Sequence, residues 1–211
     1  MKQLLSALAL AALASTAGAQ VTYTGGTDRT SFAGYNPNGP AAGLAPTGGK
    51  EDATINTTAG VLTATFLGWE ALDTDTFTFN LGAFGTLNNK TSTAGTSSIS
   101  GPVGAGALNF SFADLFTSTS VGNGGNPGSE FTSYAVLGTF NGAVFTPATL
   151  GNTYDLIIGF NDGLRVDADY DDMVIGLKVT AIPEPETYAL LLAGLGAVGF
   201  IARRRQRPLR G

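Results

Sequence analysis

The aspartates of residues 167–172 are the side chains of this chain whose type and spacing are best suited to chemistry. Asp167, Asp169, Asp171 and Asp172 place four carboxylates within six residues, directly before a predicted strand that begins at Met173. Carboxylates this close repel one another unless a cation or hydrogen-bond donors compensate them. Alternating aspartates can direct their oxygens at Ca²⁺, which prefers oxygen ligands at about 2.3–2.6 Å. The pattern therefore predicts a calcium site, although the more common use of such aspartates is to cap turns through backbone N–H groups.

The spacing of these aspartates is not that of an EF-hand. Counting from Asp167, glycine is missing at the sixth position, and Lys178 stands where the glutamate of the twelfth position belongs. Asn161 and Asp162 lie a few residues upstream, across a predicted hairpin, and could supply further oxygens. A calcium ion bound here would be structural rather than catalytic.

A second acidic group, Glu70, Asp73 and Asp75, lies between two predicted strands and directly follows Trp69, the only tryptophan. Two carboxylates held about 5–9.5 Å apart across a groove can hydrolyse a glycosidic bond. A polar hairpin loop is the simpler interpretation of the same residues.

Other catalytic machinery is excluded by composition. The chain has no histidine and no cysteine, so it cannot build a Ser-His-Asp or Cys-His centre, nor a zinc site that needs imidazole or thiolate. It contains no P-loop and no G-x-S-x-G sequence. We therefore expect a protein that is not an enzyme.

Strand signals dominate the residues that must position these acids. Five segments alternate apolar and small or polar residues with a period of two, as half-buried antiparallel strands do. They are Leu62–Phe66, Phe77–Leu81, Leu108–Phe112, Leu156–Phe160 and Met173–Val179. Clusters of Asn, Gly and Pro separate them. About eight to ten short strands predict an all-β fold, an antiparallel β-sandwich with the jelly roll as one form of it.

The charge of this central region limits its partners. Residues 20–182 hold five basic and fourteen acidic residues, a net charge of −9, whereas the whole chain carries −5. A body this acidic repels nucleic acid and anionic lipid, so we expect no nucleic-acid partner. Cations and neutral glycans are compatible partners.

The N-terminus has the pattern of a secretory signal peptide. Lys2 gives a minimal basic region, residues 4–14 are apolar, and Ala17 and Ala19 are the small residues that signal peptidase requires. We expect cleavage after Ala19 by the general secretion machinery, leaving Gln20 first. The absence of cysteine then means that an exported domain is held by its core or by metal and not by disulfides.

The C-terminus combines three unlike elements. The sequence Pro183-Glu184-Pro185-Glu186 comes first, an uncharged apolar stretch covers residues 187–202, and Arg203, Arg204 and Arg205 open a basic end at residues 203–211. As a helix the apolar stretch would span roughly 24 Å, somewhat short of the ~30 Å hydrocarbon core. Snorkelling arginines and local thinning could cover the difference. We expect a single transmembrane helix whose basic end lies in the cytoplasm.

These three elements, in this order at the end of the chain, resemble the PEP-CTERM sorting signal of Gram-negative bacteria. The resemblance implies recognition by an exosortase, a membrane-embedded enzyme similar to cysteine transpeptidases, and cleavage near Pro183-Glu184-Pro185. Such tails also carry the name ice-binding protein C-terminal domain, which does not establish ice binding. The resemblance covers about 25 residues and concerns sorting, not the activity of the body.

The sequence thus predicts a signal peptide (1–19), a secreted β-sandwich (20–182) and a sorting tail (183–211). The tail would anchor the chain transiently in the inner membrane before the body reaches the cell surface or an exopolysaccharide matrix. There we expect a non-enzymatic structural or adhesive component. The alternatives are a calcium-dependent glycan-binding module and, with less support, a carboxylate-based glycosidase.

Overall fold

The computed structural model describes residues 20–32, 34–125, 132–163, 169–182 and 185–205. The predicted signal peptide, with Ala17 and Ala19, lies outside these ranges. The chain divides into two units, one that ends at Thr180 and one that begins at Ala181.

Within the described residues the first unit contains fifteen strands and two short 3-10 turns, and the second unit contains one α-helix. The strands are β1 (Val21–Thr24), β2 (Thr27–Arg29), β3 (Gly48–Glu51), β4 (Thr54–Thr57), β5 (Gly60–Gly68), β6 (Asp75–Phe79), β7 (Leu87–Asn88), β8 (Ser98–Val103), β9 (Gly106–Ala107), β10 (Phe110–Asp114), β11 (Thr119–Gly122), β12 (Ser133–Asn141), β13 (Val144–Pro147), β14 (Leu156–Asn161) and β15 (Met173–Thr180). The 3-10 turns are Pro40–Gly43 and Asn80–Gly82, and the helix, α1, is Pro185–Arg205.

The strands form three antiparallel sheets. The largest has eight strands in the order β2-β3-β12-β14-β15-β5-β8, with β13 paired to β12. A second sheet has the order β11-β10-β6-β7, and a third has the order β1-β4-β9. The strands β5, β14 and β15, all in the large sheet, carry three of the five predicted alternating segments.

The large sheet and the four-stranded sheet pack face to face through one apolar core. Phe112 of β10 stacks on Phe160 of β14, with ring centroids 5.0 Å apart and planes 5° apart. Phe110 meets the ring of Tyr134 on β12 edge-on at 5.1 Å. The predicted all-β antiparallel fold is confirmed, and two sheets joined by packed side chains are consistent with the predicted β-sandwich. Its jelly-roll form stays a prediction.

The large sheet is also buried on its other face. Leu67, Leu137, Ile157 and Val174 point away from the first core and form a second apolar cluster. The cover on this side comes from loops: Phe32, Tyr35 and Leu44 before β3, and Ala148, Leu150 and Tyr154 before β14. This explains why every residue of β14 is buried although its strand is antiparallel.

The sequence prediction was wrong at the end of one strand and too low in strand number. Leu81 does not continue the apolar face of β6; it is 90% exposed and has a φ of 57° inside a 3-10 turn. The additional strands are short, with two to four residues in most cases, and a period of two cannot be recognised over so few residues.

In the second unit, the helix predicted at residues 187–202 is confirmed by α1, which is 21 residues long. The transmembrane part of that prediction is not confirmed. Among the residues that the structure describes, no helix combines the length and the apolarity that crossing a bilayer requires.

Truncation of Phe112 should weaken the sandwich strongly. The side chain is completely buried and contacts the rings of Phe77, Phe110, Tyr134 and Phe160. Phe112→Ala should lower the free energy of unfolding by about 3–5 kcal/mol, measured by urea denaturation followed by Trp69 fluorescence. Phe116, 75% exposed on the neighbouring turn, is the matched control, and Phe116→Ala should change stability little. Equal midpoints for the two variants would contradict this core assignment.

Candidate metal centre

The two acidic groups of the sequence meet in the folded chain. Glu70 follows β5, and Asp171 and Asp172 precede β15, the neighbouring strand of the large sheet. One carboxylate oxygen from each of these three residues lies within 4.8 Å of the other two. Two oxygens bound to one Ca²⁺ are separated by at most twice the metal–oxygen distance, roughly 5 Å. The three oxygens are therefore close enough to share one ion.

An irregularity in β5 directs Glu70 to this position. Val174 pairs with Gly68 but Ile175 pairs with Phe66, so Leu67 is an extra residue opposite β15. Such a bulge bends the strand and changes the direction of the side chains that follow it. The backbone N–H of Glu70 then donates to the carbonyl oxygen of Asp171 at 2.9 Å, which fixes the two segments to each other.

Asp171 is held from two directions. The preceding residue, Tyr170, has a φ of 63°, a strained value for a non-glycine residue, and its ring is fully buried in the second apolar cluster. The backbone N–H of Asn36 donates to Asp171 Oδ2 at 2.5 Å. Asp171 Oδ1 is buried without a hydrogen-bond partner among the described residues. A buried carboxylate oxygen without a donor is costly and is unusual in folded proteins.

Further oxygens surround these three ligand candidates. The backbone N–H of Asp162 donates to Asp172 Oδ2 at 2.8 Å, so the end of β14 contacts the segment before β15. Asn161, Asp162 and Asp169 are each no more than 6% exposed. These residues were expected near the site from the sequence. Asp167, the remaining predicted ligand, lies outside the described residues.

Asp75 extends the acidic region into the four-stranded sheet. It stands directly opposite Asp114 in the register of β6 and β10, and both side chains are completely buried at core-facing positions. Asp114 accepts hydrogen bonds from the N–H groups of Phe116 and Thr117. Asp75 Oδ2 accepts from Asn89 Nδ2 at 2.9 Å, whereas its Oδ1 has no partner among the described residues.

The sequence analysis grouped Asp75 with Glu70 and Asp73 and did not use Asp114 at all. Asp73 lies outside the three-oxygen cluster. The alternation Asp-Thr-Phe-Thr-Phe, which places Asp75 on the same face as two buried phenylalanines, was the signal that could have identified it as a core position.

Burial changes the protonation of these acids. Burial raises the pKa of Asp171 to about 8, and nearby Asp169 and Asp172 act in the same direction against the donated Asn36 N–H. Burial likewise raises the pKa of Asp172 to about 8, reinforced by the charges of Asp162 and Asp169. For Asp75, burial is again the largest cause of a pKa of about 8, and Asp162, Asp172 and Asp114 add to it. Charge is thus difficult to hold here without a compensating cation.

The described basic side chains of the body form ion pairs or hydrogen bonds with other groups. Arg29 pairs with Glu51 at 2.9 Å, Lys50 with Asp28, and Lys178 with Asp155 at 2.5 Å. Lys90 donates to the carbonyl oxygen of Ala71 at 2.7 Å. Among the residues that the structure describes, no ion pair therefore neutralises Glu70, Asp171 or Asp172. The arrangement can bind a hard cation, and it offers no histidine or cysteine for a softer one.

The tail matches a known family. Residues 181–206 match the family model of the PEP-CTERM protein-sorting motif. The chain carries a PEP-CTERM sorting signal. The signal marks the chain as an exported protein that an exosortase sorts to the cell envelope or surface. No curated protein and no solved structure matches the chain.

Within this PEP-CTERM signal, Pro185 is the first residue of α1, where the fixed φ of proline is well tolerated. Its last three residues are Arg203, Arg204 and Arg205, and positive charges at the C-terminal end of a helix interact favourably with the helix dipole. Pro183 and Glu184 lie outside the described residues.

The stability of the metal-free body should decrease with rising pH because of Asp75. An aspartate with an ordinary pKa near 3.9 in the unfolded chain and about 8 in the folded chain keeps its proton on folding. Its contribution is complete below about pH 4 and is lost progressively as the pH rises to about 8. Asp162, Asp172 and Asp114 face this carboxyl and raise its pKa, and Lys90 lowers it.

Thermal unfolding in EDTA at pH 5 to 8 measures this dependence. Asp75→Asn should flatten the decrease, because the amide is uncharged and still offers Asn89 an acceptor. The exposed pair member Asp28 provides the control variant Asp28→Asn, which should leave the slope unchanged. Parallel curves for the wild type and Asp75→Asn would contradict the assignment.

Proposed function

We propose that residues 20–182 are a non-enzymatic structural or adhesive component of the cell surface or extracellular matrix, delivered there after both ends of the chain have been removed. The observation that carries this proposal is the position of the sorting signal. The last strand, β15, ends at Thr180, and the matched motif begins at residue 181, where the second unit also begins. Cleavage near Pro183–Pro185 would therefore leave every described strand in the released body.

The other end supports the same maturation. Gln20, the expected first residue after signal cleavage, already belongs to the body: its N–H donates to Thr58 Oγ1 at 2.9 Å. Its carbonyl oxygen accepts from the N–H of Thr58 at 3.1 Å, and β1 begins at the next residue. Removal of residues 1–19 would leave this first strand complete.

Burial removes one of the three carboxylates predicted for a glycosidase. Asp75 is completely buried, so a polysaccharide cannot reach it, whereas Glu70 and Asp73 are half-buried. The surface offers a different feature. Leu72 and Phe116 are each 75% exposed, and with Leu115 they line one depression between two loops. Exposed apolar side chains grouped in this way suit adhesion to another surface.

A second candidate, a calcium-dependent glycan-binding module, is favoured by an open groove beside β1. The groove has a volume of about 640 Å³ and is lined by Gln20–Gly26, Lys50, Pro147, Asp155 and Leu156. The ring of Tyr23 packs edge-on against Phe145 at 5.8 Å and is half-buried. An aromatic ring beside hydroxyl, ammonium and carboxylate groups is a surface on which a neutral sugar can stack and form hydrogen bonds.

The intact mass of the mature protein tests the maturation. We expect a chain that begins at Gln20 and ends close to Pro183–Glu186. Glu184→Ala should retain the tail, because it changes the sequence that the exosortase recognises, and Pro208→Ala, beyond the matched residues, should be processed normally. A wild-type mass that includes residues up to Gly211 would refute removal of the tail.

Retention on immobilised neutral polysaccharide distinguishes the two functions. A structural or adhesive component should elute with the void volume, with or without Ca²⁺. A glycan-binding module should be retarded in Ca²⁺ and released by EDTA. Tyr23→Ala should weaken its binding about five- to thirtyfold, since stacking contributes roughly 1–2 kcal/mol. Phe116→Ala, which alters an exposed ring outside the groove, is the matched control and should bind as the wild type does.

A further inference from the structure

We propose that Glu70, Asp171 and Asp172 form a single structural Ca²⁺ site that ties together three segments of the body: the loop before β3, the end of β5 and the segment before β15. This goes beyond the proposed function and does not depend on it. The sequence prediction placed its four aspartate ligands within residues 167–172, with Asn161 and Asp162 as further oxygens. The proposed site takes two of those aspartates and adds Glu70, from a distant part of the chain.

The first argument is distance. The three carboxylate oxygens lie within 4.8 Å of one another, as ligands of one Ca²⁺ must. Without a cation, three acids this close would repel one another in a poorly solvated place, because Asp171 is completely buried and Asp172 is 8% exposed.

The second argument is independent of the clustering. Asp171 belongs to this group of three acids, and its Oδ1 is buried without a hydrogen-bond partner among the residues that the structure describes. Its partner oxygen, Oδ2, is satisfied by the N–H of Asn36. If aspartates here served only to cap turns, Oδ1 would be expected to face a donor or water. A buried oxygen without a donor, on a side chain that belongs to a group of three carboxylates, is a position that a bound cation would satisfy.

The third argument concerns charge. The described lysines and arginines of the body are bound to Glu51, Asp28, Asp155 and the carbonyl oxygen of Ala71. A divalent cation supplies the positive charge that these side chains do not. The ligand set consists of carboxylates, which select a hard cation, and its half-buried member Glu70 leaves one side open for water ligands.

The site would act on the fold through the backbone. Glu70 N–H already bonds to the Asp171 carbonyl, and Asn36 N–H to the Asp171 carboxylate. An ion on the remaining oxygens would hold the loop that covers the second face of the large sheet against β5 and β15. A body without disulfides would obtain in this way a cross-link between distant parts of its chain.

The single tryptophan provides a direct probe. Trp69 is adjacent to Glu70, and Tb³⁺, a substitute for Ca²⁺, luminesces when an indole ring close to it is excited. The purified exported protein should give a saturable signal at one ion per chain, displaced by Ca²⁺. Glu70→Gln and Asp171→Asn should each reduce the signal at least tenfold. Asp73→Asn, from the same loop but outside the cluster, is the matched control and should keep it.

Thermal unfolding gives a second readout. At a Ca²⁺ concentration about 100 times the dissociation constant, the wild type should melt roughly 5–10 °C higher than in EDTA. In EDTA, Asp171→Asn should fold and melt no lower than the wild type, since it removes repulsion, but it should show no response to Ca²⁺. A variant that is destabilised equally with and without Ca²⁺ would show that Asp171 caps a turn and would overturn the proposal. The proposal would also be overturned if the wild type gave no Tb³⁺ luminescence, or if the Glu70→Gln variant kept that luminescence. Displacement of Tb³⁺ by Mg²⁺ as readily as by Ca²⁺ would overturn the assignment of the ion.

Discussion

The burial of the large sheet on both faces is the constraint on which the rest of this structure depends. A sheet with apolar side chains on both sides must be covered twice, and a strand period of two then no longer separates buried from exposed residues. One cover is the four-stranded sheet, through the ring stack of Phe112 and Phe160. The other is irregular chain, above all the loop that carries Phe32 and Tyr35. Because that loop has to lie on the sheet, its backbone reaches Asp171, whose side chain is completely buried.

This arrangement buries acids at the ends of the strands, which is energetically unfavourable for their charged forms. Asp75 and Asp114 face each other at core positions of β6 and β10, and Asp162 and Asp172 meet between β14 and β15. Burial raises the pKa of Asp75, Asp171 and Asp172, so each is easier to keep protonated than charged. Natural cores rarely accept such groups without a reason in binding or specificity. The two unsatisfied oxygens lie on Asp75, the first residue of β6, and on Asp171, in the segment before β15.

Sequence reasoning recovered the class of the fold because the long strands β5, β14 and β15 carry clear alternation that ends in turn residues. It missed β2, β7 and β9, whose two or three residues are strands only because a neighbour offers them hydrogen bonds. The candidate site was recovered in part for a related reason. The sequence shows three of the acids directly, because Asp169, Asp171 and Asp172 are close together along the chain. Glu70 lies near them only in the folded chain, through a bulge at Leu67 and the pairing of β5 with β15. Neither a bulge nor a strand neighbour separated by a hundred residues leaves a local signal.

Different constraints act on the sequences of the tail and of the body, and this difference explains why the tail matches a family model. A sorting signal must be read by an enzyme as a linear pattern, so its proline, apolar and arginine elements stand in fixed order in residues 181–206. The described apolar side chains of α1, such as Leu192 and Phe200, are exposed, which is disadvantageous in water and suits a segment destined for an apolar partner. The body is constrained only by packing, and many sequences fill one sandwich. The feature of the body that packing alone does not explain is the presence of acids at a few buried positions. The clearest of them is Asp171, which is buried and has one oxygen unpartnered among the described residues.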